Sequence, residues 1–289
     1  MTGRADDVSP VRHYAVLGYP VRHSLSPPMQ NAAFRAAGLN ALYEAREVPL
    51  ERLDDVLARL HEEGVAGLNL TLPLKERGWT LVSMRTPEAE RARAVNTLRR
   101  EVVGWAGHAT DGLGFNAWIR ELGLTLAGAK VLLLGAGGAA ASVAPVVLDQ
   151  GPAALAIVSR TRERASVLAD RLGREGNVPV THGGLDSNPD EIGRAGPFDV
   201  LVRALTIEDV GEREASLWRA LEPRAPVLDL NYAQRAARVR ARCEEEGRPF
   251  EDGLGLLLHQ GALSFEFWIG RRAPIDAMRE ALQAAARHT

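Results

Sequence analysis

The feature that most constrains the fold is a short apolar run at residues 130–134, which leads straight into a glycine-rich turn. Gly135, Gly137 and Ala140 fit the pattern G-x-G-x-x-G/A that occurs between a strand and a helix. The first glycine makes the turn, the second lets the backbone approach a pyrophosphate, and the third small residue allows close helix packing. With a further strand at 153–158, the pattern predicts a dinucleotide-binding unit. The candidate cofactor-binding residues in the turn are Gly135, Ala136, Gly137, Gly138 and Ala139.

The end of that further strand indicates which dinucleotide is bound. A site for NAD usually has Asp or Glu here, on the ribose hydroxyls, but no acid follows this strand directly. The sequence instead has Ser159, Arg160 and Thr161, with Arg164 shortly after them. Because a guanidinium pairs well with a 2′-phosphate, Arg160 and Arg164 favour NADP over NAD, and all four residues are candidate cofactor contacts. The alternative is a solvated helix start in an arginine-rich chain.

Strand and helix patterns alternate along the rest of the chain, which is typical of an α/β fold with a parallel sheet. The predicted strands lie at 13–18, 41–48, 65–70, 94–98, 102–107, 178–180, 198–202 and 226–230. The predicted helices lie at 26–37, 50–63, 87–93, 115–122, 212–221, 233–246 and 274–286, with another that ends near Trp268.

Length and charge limit the classes of protein that the chain can belong to. Its 289 residues are enough for one large domain or two ordinary ones. The net charge of −2 and a pI near 6.4 give no basic surface for nucleic acid or an anionic membrane. With no membrane-length apolar run and no apolar signal core, we expect a cytoplasmic protein. The single Cys243 excludes an internal disulfide and a multi-cysteine metal site, and no metal is predicted.

The polar stretch after the strand at 65–70 ends in a lysine, Lys75. The chain has 35 basic residues, of which only Lys75 and Lys130 are lysine. Arginine keeps its proton in a protein, whereas lysine can release it when burial or a neighbour lowers its pKa. Because ligands of α/β proteins bind at strand ends, Lys75 is a candidate for proton transfer, with Asn69 and Thr71 beside it. The alternative is an ordinary surface lysine.

Three other stretches place polar side chains where a ligand can be held. Asp111 precedes a predicted helix and is either its N-cap or a carboxylate that faces Lys75. Ser24 and Ser26 follow the first strand and indicate a polyol or carboxylate ligand, although Ser26 also fits a helix cap before a proline. Gln260 lies in an apolar helical pattern, where its amide needs either a ligand hydroxyl or a backbone group as partner.

Seven ordered motifs together resemble the shikimate dehydrogenase family along almost the whole chain. In this sequence they are Gly18–Pro27, Asn69–Lys75, Ala94–Thr97, Thr110–Gly114, Gly135–Ala139, Ser159–Thr161 and Gln260–Phe265. Each motif is short, but seven in the same order are far more specific than any one of them.

The resemblance implies two α/β domains, with the C-terminal helices returning to the first. Residues 1–111 with 256–289 would bind substrate, and a doubly wound Rossmann-type domain at 112–255 would bind NADP. It implies that Lys75 and Asp111 handle the proton in the reversible reduction of 3-dehydroshikimate to shikimate, in a monomer or a homodimer. The implied substrate-binding residues are Ser24, Ser26, Asn69, Thr71, Asn96, Tyr232 and Gln260. The further implied cofactor contacts are Leu230 and Gly253.

Two departures from the family pattern leave other functions open. Ala109 stands where the family usually has asparagine, two residues before the catalytic aspartate, and this leaves open a quinate or other shikimate-like polyol dehydrogenase. Arg203-Ala204-Leu205 replaces the family's Asn-Ala-Thr, which puts one cofactor contact in question and predicts a positive charge near the nucleotide. Arg203 therefore leaves open a weakly catalytic nucleotide-binding regulatory protein.

Overall fold

The computed structural model of the chain describes residues 10–188, 192, 197–205 and 211–287. The strands are β1 (Arg12–Gly18), β2 (Ala41–Glu47), β3 (Gly67–Leu70), β4 (Met84–Arg85), β5 (Thr97–Arg100), β6 (Trp105–His108), β7 (Lys130–Leu134), β8 (Ala154–Ser159), β9 (Val180–Gly184), β10 (Val200–Arg203), β11 (Val227–Asp229) and β12 (Phe250–Asp252). The helices bounded by described residues are α1 (Ser26–Ala36), α2 (Leu53–Glu62), α3 (Lys75–Leu81), α4 (Pro87–Ala92), α5 (Thr110–Glu121), α6 (Gly138–Asp149), α7 (Arg162–Leu172), α8 (Glu212–Leu217), α9 (Ala237–Glu245), α10 (Leu254–Ile269) and α11 (Ile275–Ala286). None of these helices is long and apolar enough to cross a membrane.

The first half of the described chain forms a mixed six-stranded sheet in the order β2-β1-β3-β5-β6-β4. Strands β1, β2 and β3 run parallel, whereas β5 pairs antiparallel with both β3 and β6. Apolar side chains of β1 enter two separate clusters, because successive residues of a strand point to opposite faces, and those of β3 enter one of them. Leu17 and Leu68 pack against α2, and Tyr14 and Val16 pack with the C-terminal helices.

The second half forms a six-stranded parallel sheet in the order β12-β11-β10-β7-β8-β9. Its central strand β7 reads almost wholly apolar because the sheet is covered on both faces. The chain runs outward from β7 through β8 and β9, then crosses to build β10, β11 and β12 on the other side. The strand order therefore reverses between β7 and β10, and ligands of doubly wound sheets bind at the carboxyl ends of the strands at such a point.

Helix α5 joins the two sheets by packing against both α6 and α10. A Cβ at Gly112 would lie 2.2 Å from the carbonyl oxygen of Ser142 in α6. A Cβ at Gly114 would lie 2.6 Å from the backbone nitrogen of Gln260 in α10. Only glycine permits these approaches, which bring the first turn of α5 against both halves of the molecule.

The predicted α/β architecture is confirmed, with several differences in the position of elements. The helix predicted from Phe115 begins five residues earlier, at Thr110. The two short strands predicted at 94–98 and 102–107 lie at Thr97–Arg100 and Trp105–His108. Strand β12 was not predicted, since its three residues carry no alternation of apolar and polar side chains long enough to recognise.

Both helix-cap interpretations of candidate site residues are wrong. Ser26 is the first residue of α1, whose N-cap is Leu25 without a side-chain hydrogen bond. Asp111 lies in the first turn of α5, whose N-cap is Ala109 in an extended conformation. Since neither side chain caps its helix, both are available for other contacts.

Candidate active site

Lys75 and Asp111 meet at the carboxyl edge of the first sheet. Lys75 is the first residue of α3, shortly after β3, and Asp111 lies in the first turn of α5, shortly after β6. Lys75 Nζ donates to Asp111 Oδ2 at 2.6 Å, a short distance typical of a charge-assisted hydrogen bond. The two side chains are only 14% and 7% exposed. The predicted pairing of these residues is therefore present, and water screens it little.

Asn96 holds the other oxygen of the Asp111 carboxylate. Its Nδ2 donates to Asp111 Oδ1 at 2.9 Å, and its Oδ1 accepts from the backbone nitrogen of Thr110 at 2.7 Å. The same Nδ2 lies 3.1 Å from Gln260 Oε1, while Gln260 Nε2 donates to the carbonyl of Leu257 at 2.9 Å. Gln260 thus has the backbone partner considered as the alternative and also reaches the Asn96–Asp111 group.

A buried polar network supports Asn96 from behind. Asn69 Nδ2 donates to the carbonyl of Asn96 at 2.8 Å and to Ser264 Oγ at 3.0 Å. Asn69 Oδ1 accepts from the Tyr43 hydroxyl at 2.6 Å. Burial raises the pKa of Tyr43 well above its ordinary value, so this phenol remains a donor. Because the members satisfy one another, the network holds Asn69 and Asn96 in one arrangement.

Sequence reasoning missed Tyr43 and Ser264 as members of this network. Ser264 lies four residues after Gln260, so the helical period placed both on one face of α10, and this signal was available. Tyr43 lies on β2, 26 residues before Asn69 in sequence, and nothing local to that strand indicates its partner.

A cavity of about 510 Å³ opens between the two sheets at this network. It is lined by every residue predicted to bind substrate or transfer a proton, namely Ser24, Ser26, Asn69, Thr71, Lys75, Asn96, Asp111, Tyr232 and Gln260. The lining also includes polar residues that sequence reasoning did not select as site residues, namely His23, Asn231, Gln234 and Arg235. The volume suits a small ligand with part of a cofactor.

Hydroxyl groups gather at one end of the cavity. The Tyr232 phenol lines the cavity together with Ser24 and Ser26, and burial raises its pKa. This end of the cavity therefore offers neutral donors, which suit a carboxylate or a polyol.

The glycine-rich turn contacts Lys75 from the second sheet. Gly135 has φ of 124°, and a Cβ there would lie 2.7 Å from the carbonyl oxygen of Ala204, so only glycine fits. A Cβ at Gly137 would meet no protein atom within 4 Å, so the protein itself does not require glycine there. The close approach of a ligand to the backbone explains glycine at this position. A Cβ at Gly138 would lie 3.0 Å from the Lys75 Cβ. The turn and the first residues of α6 thus fit a dinucleotide phosphate directly beside Lys75.

The remaining candidate cofactor residues fall into two groups. Ala139, Leu230 and Gly253 line the cavity, whereas Ser159, Arg160, Thr161 and Arg164 lie outside its lining. Ser159 is buried at the end of β8, and the Arg164 guanidinium is paired with the carboxylate of Glu76, the residue after Lys75. Arg160 directly follows β8 and Arg164 lies in the first turn of α7, so both remain predicted contacts for a 2′-phosphate outside the cavity lining.

Arg203 does not present its charge to the cavity. Its side chain is wholly buried and donates to Glu214 Oε1 at 2.8 Å and to Asp229 Oδ2 at 3.1 Å. Burial raises the pKa of Asp229 to about 6, against the opposing effect of Arg203. The predicted positive charge near the nucleotide is therefore absent from the cavity lining, because two carboxylates take it up inside the domain.

Ala109 also lies away from the cavity. Its side chain is 3% exposed and packs in the apolar cluster under the first sheet, with residues such as Val95 and Val82. It is the N-cap position of α5, and it does not line the cavity.

The molecule has two α/β sheets, with a lysine–carboxylate pair beside a glycine-rich nucleotide turn. This arrangement defines a dehydrogenase that uses a pyridine dinucleotide. Three family models match the chain: the shikimate dehydrogenase substrate binding domain at 16–98, shikimate / quinate 5-dehydrogenase at 119–185, and the shikimate 5′-dehydrogenase C-terminal domain at 253–283. The chain belongs to the shikimate dehydrogenase family, as the ordered motifs predicted.

Individual relatives are similar along nearly their whole length. The shikimate dehydrogenase (NADP(+)) of Xylella fastidiosa strain 9a5c is 39% identical over 279 residues, covering 95% of this chain and 97% of the relative. The enzyme of the same name from Methanopyrus kandleri is 39% identical over 272 residues, covering 92% and 93%. A crystal structure of shikimate 5-dehydrogenase from Thermus thermophilus, in complex with NADP(H) and shikimate, superposes with a TM-score of 0.79 at 33% identity, covering 95% of this chain and 99% of that one.

Proposed function

We propose that the protein catalyses the reversible, NADP-dependent reduction of 3-dehydroshikimate to shikimate. The observation that carries this proposal is the Lys75–Asp111 pair, which lies in the cavity between the sheets and directly against the glycine-rich turn. The curated relatives named shikimate dehydrogenase (NADP(+)) support the choice of substrate and cofactor. The product belongs to the biosynthetic route to aromatic amino acids.

Lys75 is the group that handles the proton. When bound, reduced NADP would supply a hydride to the carbonyl carbon, and the carbonyl oxygen must gain a proton to become a hydroxyl. Lys75 Nζ gives up that proton, and in the reverse direction it takes the proton from the hydroxyl. General acid–base catalysis of this kind contributes about 10²–10⁴-fold to the rate.

Asp111 orients the lysine and the reacting hydroxyl. One carboxylate oxygen accepts from Lys75 Nζ and the other from Asn96 Nδ2, so the carboxylate cannot rotate freely. The network through Asn69 and Tyr43 fixes Asn96 in turn. Because the Asp111 carboxylate is fixed, Lys75 Nζ, which donates to it, needs little reorganisation when the substrate binds, and this favours the reaction.

The rest of the cavity fits a cyclic polyol carboxylate. The hydroxyls of Ser24, Ser26 and Tyr232 gather at one end and offer the neutral donors that a carboxylate accepts. The Gln260 amide and the Thr71 hydroxyl, which also line the cavity, offer donors and acceptors to ring hydroxyls, while Asn69 holds Asn96 in place beside them. Arg160, directly after β8, and Arg164, at the start of α7, would hold the 2′-phosphate of NADP.

A quinate or related polyol dehydrogenase is the second candidate from the sequence, but the position of Ala109 does not favour it. Ala109 is buried in the core and does not line the cavity, so its replacement of asparagine removes no group from the lining. The formed Lys75–Asp111 pair likewise speaks against a regulatory protein with weak catalysis.

Steady-state assays of the purified protein test the proposal. Shikimate and quinate are each oxidised in separate reactions with NADP and with NAD, and the reverse reaction is measured with 3-dehydroshikimate and NADPH. We expect the highest kcat/KM for shikimate with NADP. Oxidation of quinate without oxidation of shikimate would replace the proposed substrate, and tight NADPH binding with no turnover of either polyol would support a regulatory role.

A further inference from the structure

We propose that Arg203 is a positioning residue for the cofactor end of the cavity, acting through Asp229 and Asn231. The inference rests on the proposed function, since it concerns binding of the same NADPH. The family pattern has an asparagine at this position, and the arginine here reaches the cavity wall only through the residues that it holds.

Arg203 is bound between two carboxylates inside the parallel sheet. Glu214 of α8 and Asp229 at the end of β11 lie on different sides of its guanidinium. The side chains of Arg203, Glu214 and Asp229 are 0%, 2% and 0% exposed. A guanidinium has a planar fork of donors and stays charged, so it can engage both carboxylates at once.

Asp229 connects Arg203 to the cavity wall through hydrogen bonds to Asn231. Its Oδ1 accepts from the backbone nitrogen of Asn231 at 3.0 Å and from Asn231 Nδ2 at 2.7 Å. The same Nδ2 donates to the carbonyl of Leu205 at 2.8 Å, and the carbonyl of Asn231 accepts from the backbone nitrogen of Gly253 at 2.8 Å. Asn231, Leu205 and Gly253 all line the cavity, so one buried cluster ties three segments of its wall.

The backbone directly after Arg203 touches the nucleotide turn, and that of Arg203 itself is bonded to the cavity wall. Ala204 donates from its backbone nitrogen to the carbonyl of Leu134 at 2.7 Å, and its own carbonyl lies against Gly135. The backbone nitrogen of Leu230 donates to the carbonyl of Arg203 at 2.8 Å. A shift of Arg203 would therefore move the glycine-rich turn and the wall together.

Substrate contacts should be less sensitive than cofactor contacts to a change in this cluster. Tyr232 follows Asn231, but the implied substrate contacts Ser24, Ser26 and Thr71 all belong to the first half of the chain. Lys75 and Asp111 are likewise held by residues of the first half and of α10. The expected effect of loosening Arg203 is a rise in the KM for NADPH with little change in the KM for shikimate.

The test uses Glu214→Gln, which preserves shape and removes one of the two carboxylate charges that pair with Arg203 among the described residues, without touching the cavity lining. We expect the Kd and KM for NADPH to rise about fivefold, while kcat and the KM for shikimate change less than about twofold. Leu217→Ala is the matched control, because Leu217 is buried on the same helix and contributes to the core. It should lower the melting temperature while leaving NADPH binding unchanged.

Arg203→Lys and Arg203→Met complete the series. Lysine keeps the charge but lacks the planar fork, so its NADPH affinity should fall between those of the wild type and the methionine variant. If Arg203→Met does not fold, the Glu214→Gln comparison still decides the question. Equal effects of Glu214→Gln and Leu217→Ala on NADPH affinity, or no effect of Glu214→Gln, would overturn the positioning role. Because NADPH affinity is measured by fluorescence titration without substrate, failure to oxidise shikimate would count against the proposed function and leave this comparison intact.

Discussion

Replacing Lys75 by arginine separates the charge of this residue from its ability to transfer a proton. Arginine preserves a cation beside Asp111 but does not release a proton in a protein. We therefore expect Lys75→Arg to lower kcat nearly as much as Lys75→Ala, by about 10²–10⁴-fold. This range corresponds to about 2.7–5.4 kcal/mol in the activation barrier.

The same pair of variants should behave differently in stability. Removal of one partner from a buried ion pair costs about 3–5 kcal/mol when the other charge has no further partner. Asp111 would still accept from Asn96 Nδ2 after Lys75→Ala, so we expect a loss at or below the lower end of that range. Lys75→Arg should lose less, because the guanidinium can still pair with the carboxylate. Denaturant unfolding measures both values.

The assay is steady-state oxidation of shikimate with NADP, together with fluorescence titration of NADPH. Both variants should bind NADPH with an affinity within about threefold of the wild type, because Lys75 contacts the glycine-rich turn only through its aliphatic stem. Lys130→Ala is the matched control, since it removes the only other lysine of the chain and lies at the start of β7. An undiminished kcat for Lys75→Arg would refute the argument that this position needs a transferable proton.

Three further outcomes follow from particular residues. Burial raises the pKa of Cys243 to about 12, so the native thiol should react with Ellman's reagent at pH 8 only after unfolding, and its contribution to stability should fall as pH rises from about 9 towards 12. Rapid labelling of the native protein would contradict this. Ala233 has φ of 52°, and replacing it by glycine should raise the free energy of unfolding by about 1 kcal/mol, seen as a higher melting temperature, whereas a decrease would refute the strain argument. Arg164→Ala should raise the KM for NADPH about tenfold and leave the KM for NADH unchanged, and an equal effect on both cofactors would remove Arg164 from the 2′-phosphate site.

The nucleotide turn could be predicted from sequence because its requirements are local. Gly135 needs a positive φ, and glycine adopts that conformation without strain. The apolar strand before it and the small residues after it occupy one continuous stretch. The predicted strand at 130–134 has the same bounds as β7 in the structure.

Helix starts were harder to predict, because a serine or an aspartate near a helix start can either cap the helix or bind a partner elsewhere in the chain. Ser26 and Asp111 both fit a capping position, yet neither side chain caps its helix. Asp111 has stronger partners in Lys75 and Asn96, which come from elsewhere in the chain. A capping preference of about 1 kcal/mol does not decide the outcome against such partners.

The orientation of the Arg203 side chain also could not be predicted from the residues next to it. The residue stands next to a cavity-lining position, so a charge near the nucleotide was the reasonable expectation. Its direction is set by Glu214 and Asp229, which lie 11 and 26 residues away in sequence. Only the packing of α8 against β10 and β11 shows that the charge is taken up internally.

The sequence by itself determined the elements whose causes lie within a few residues: the glycine-rich turn, the strand before it and the lysine at the end of a buried strand. The ordered motifs also determined the family. The tertiary structure decided which side chains meet, since Lys75 and Asp111 are 36 residues apart and Asn69 and Ser264 are 195 apart. The physical reason is that a hydrogen-bond partner is chosen by the packing of whole strands and helices, which no local pattern records.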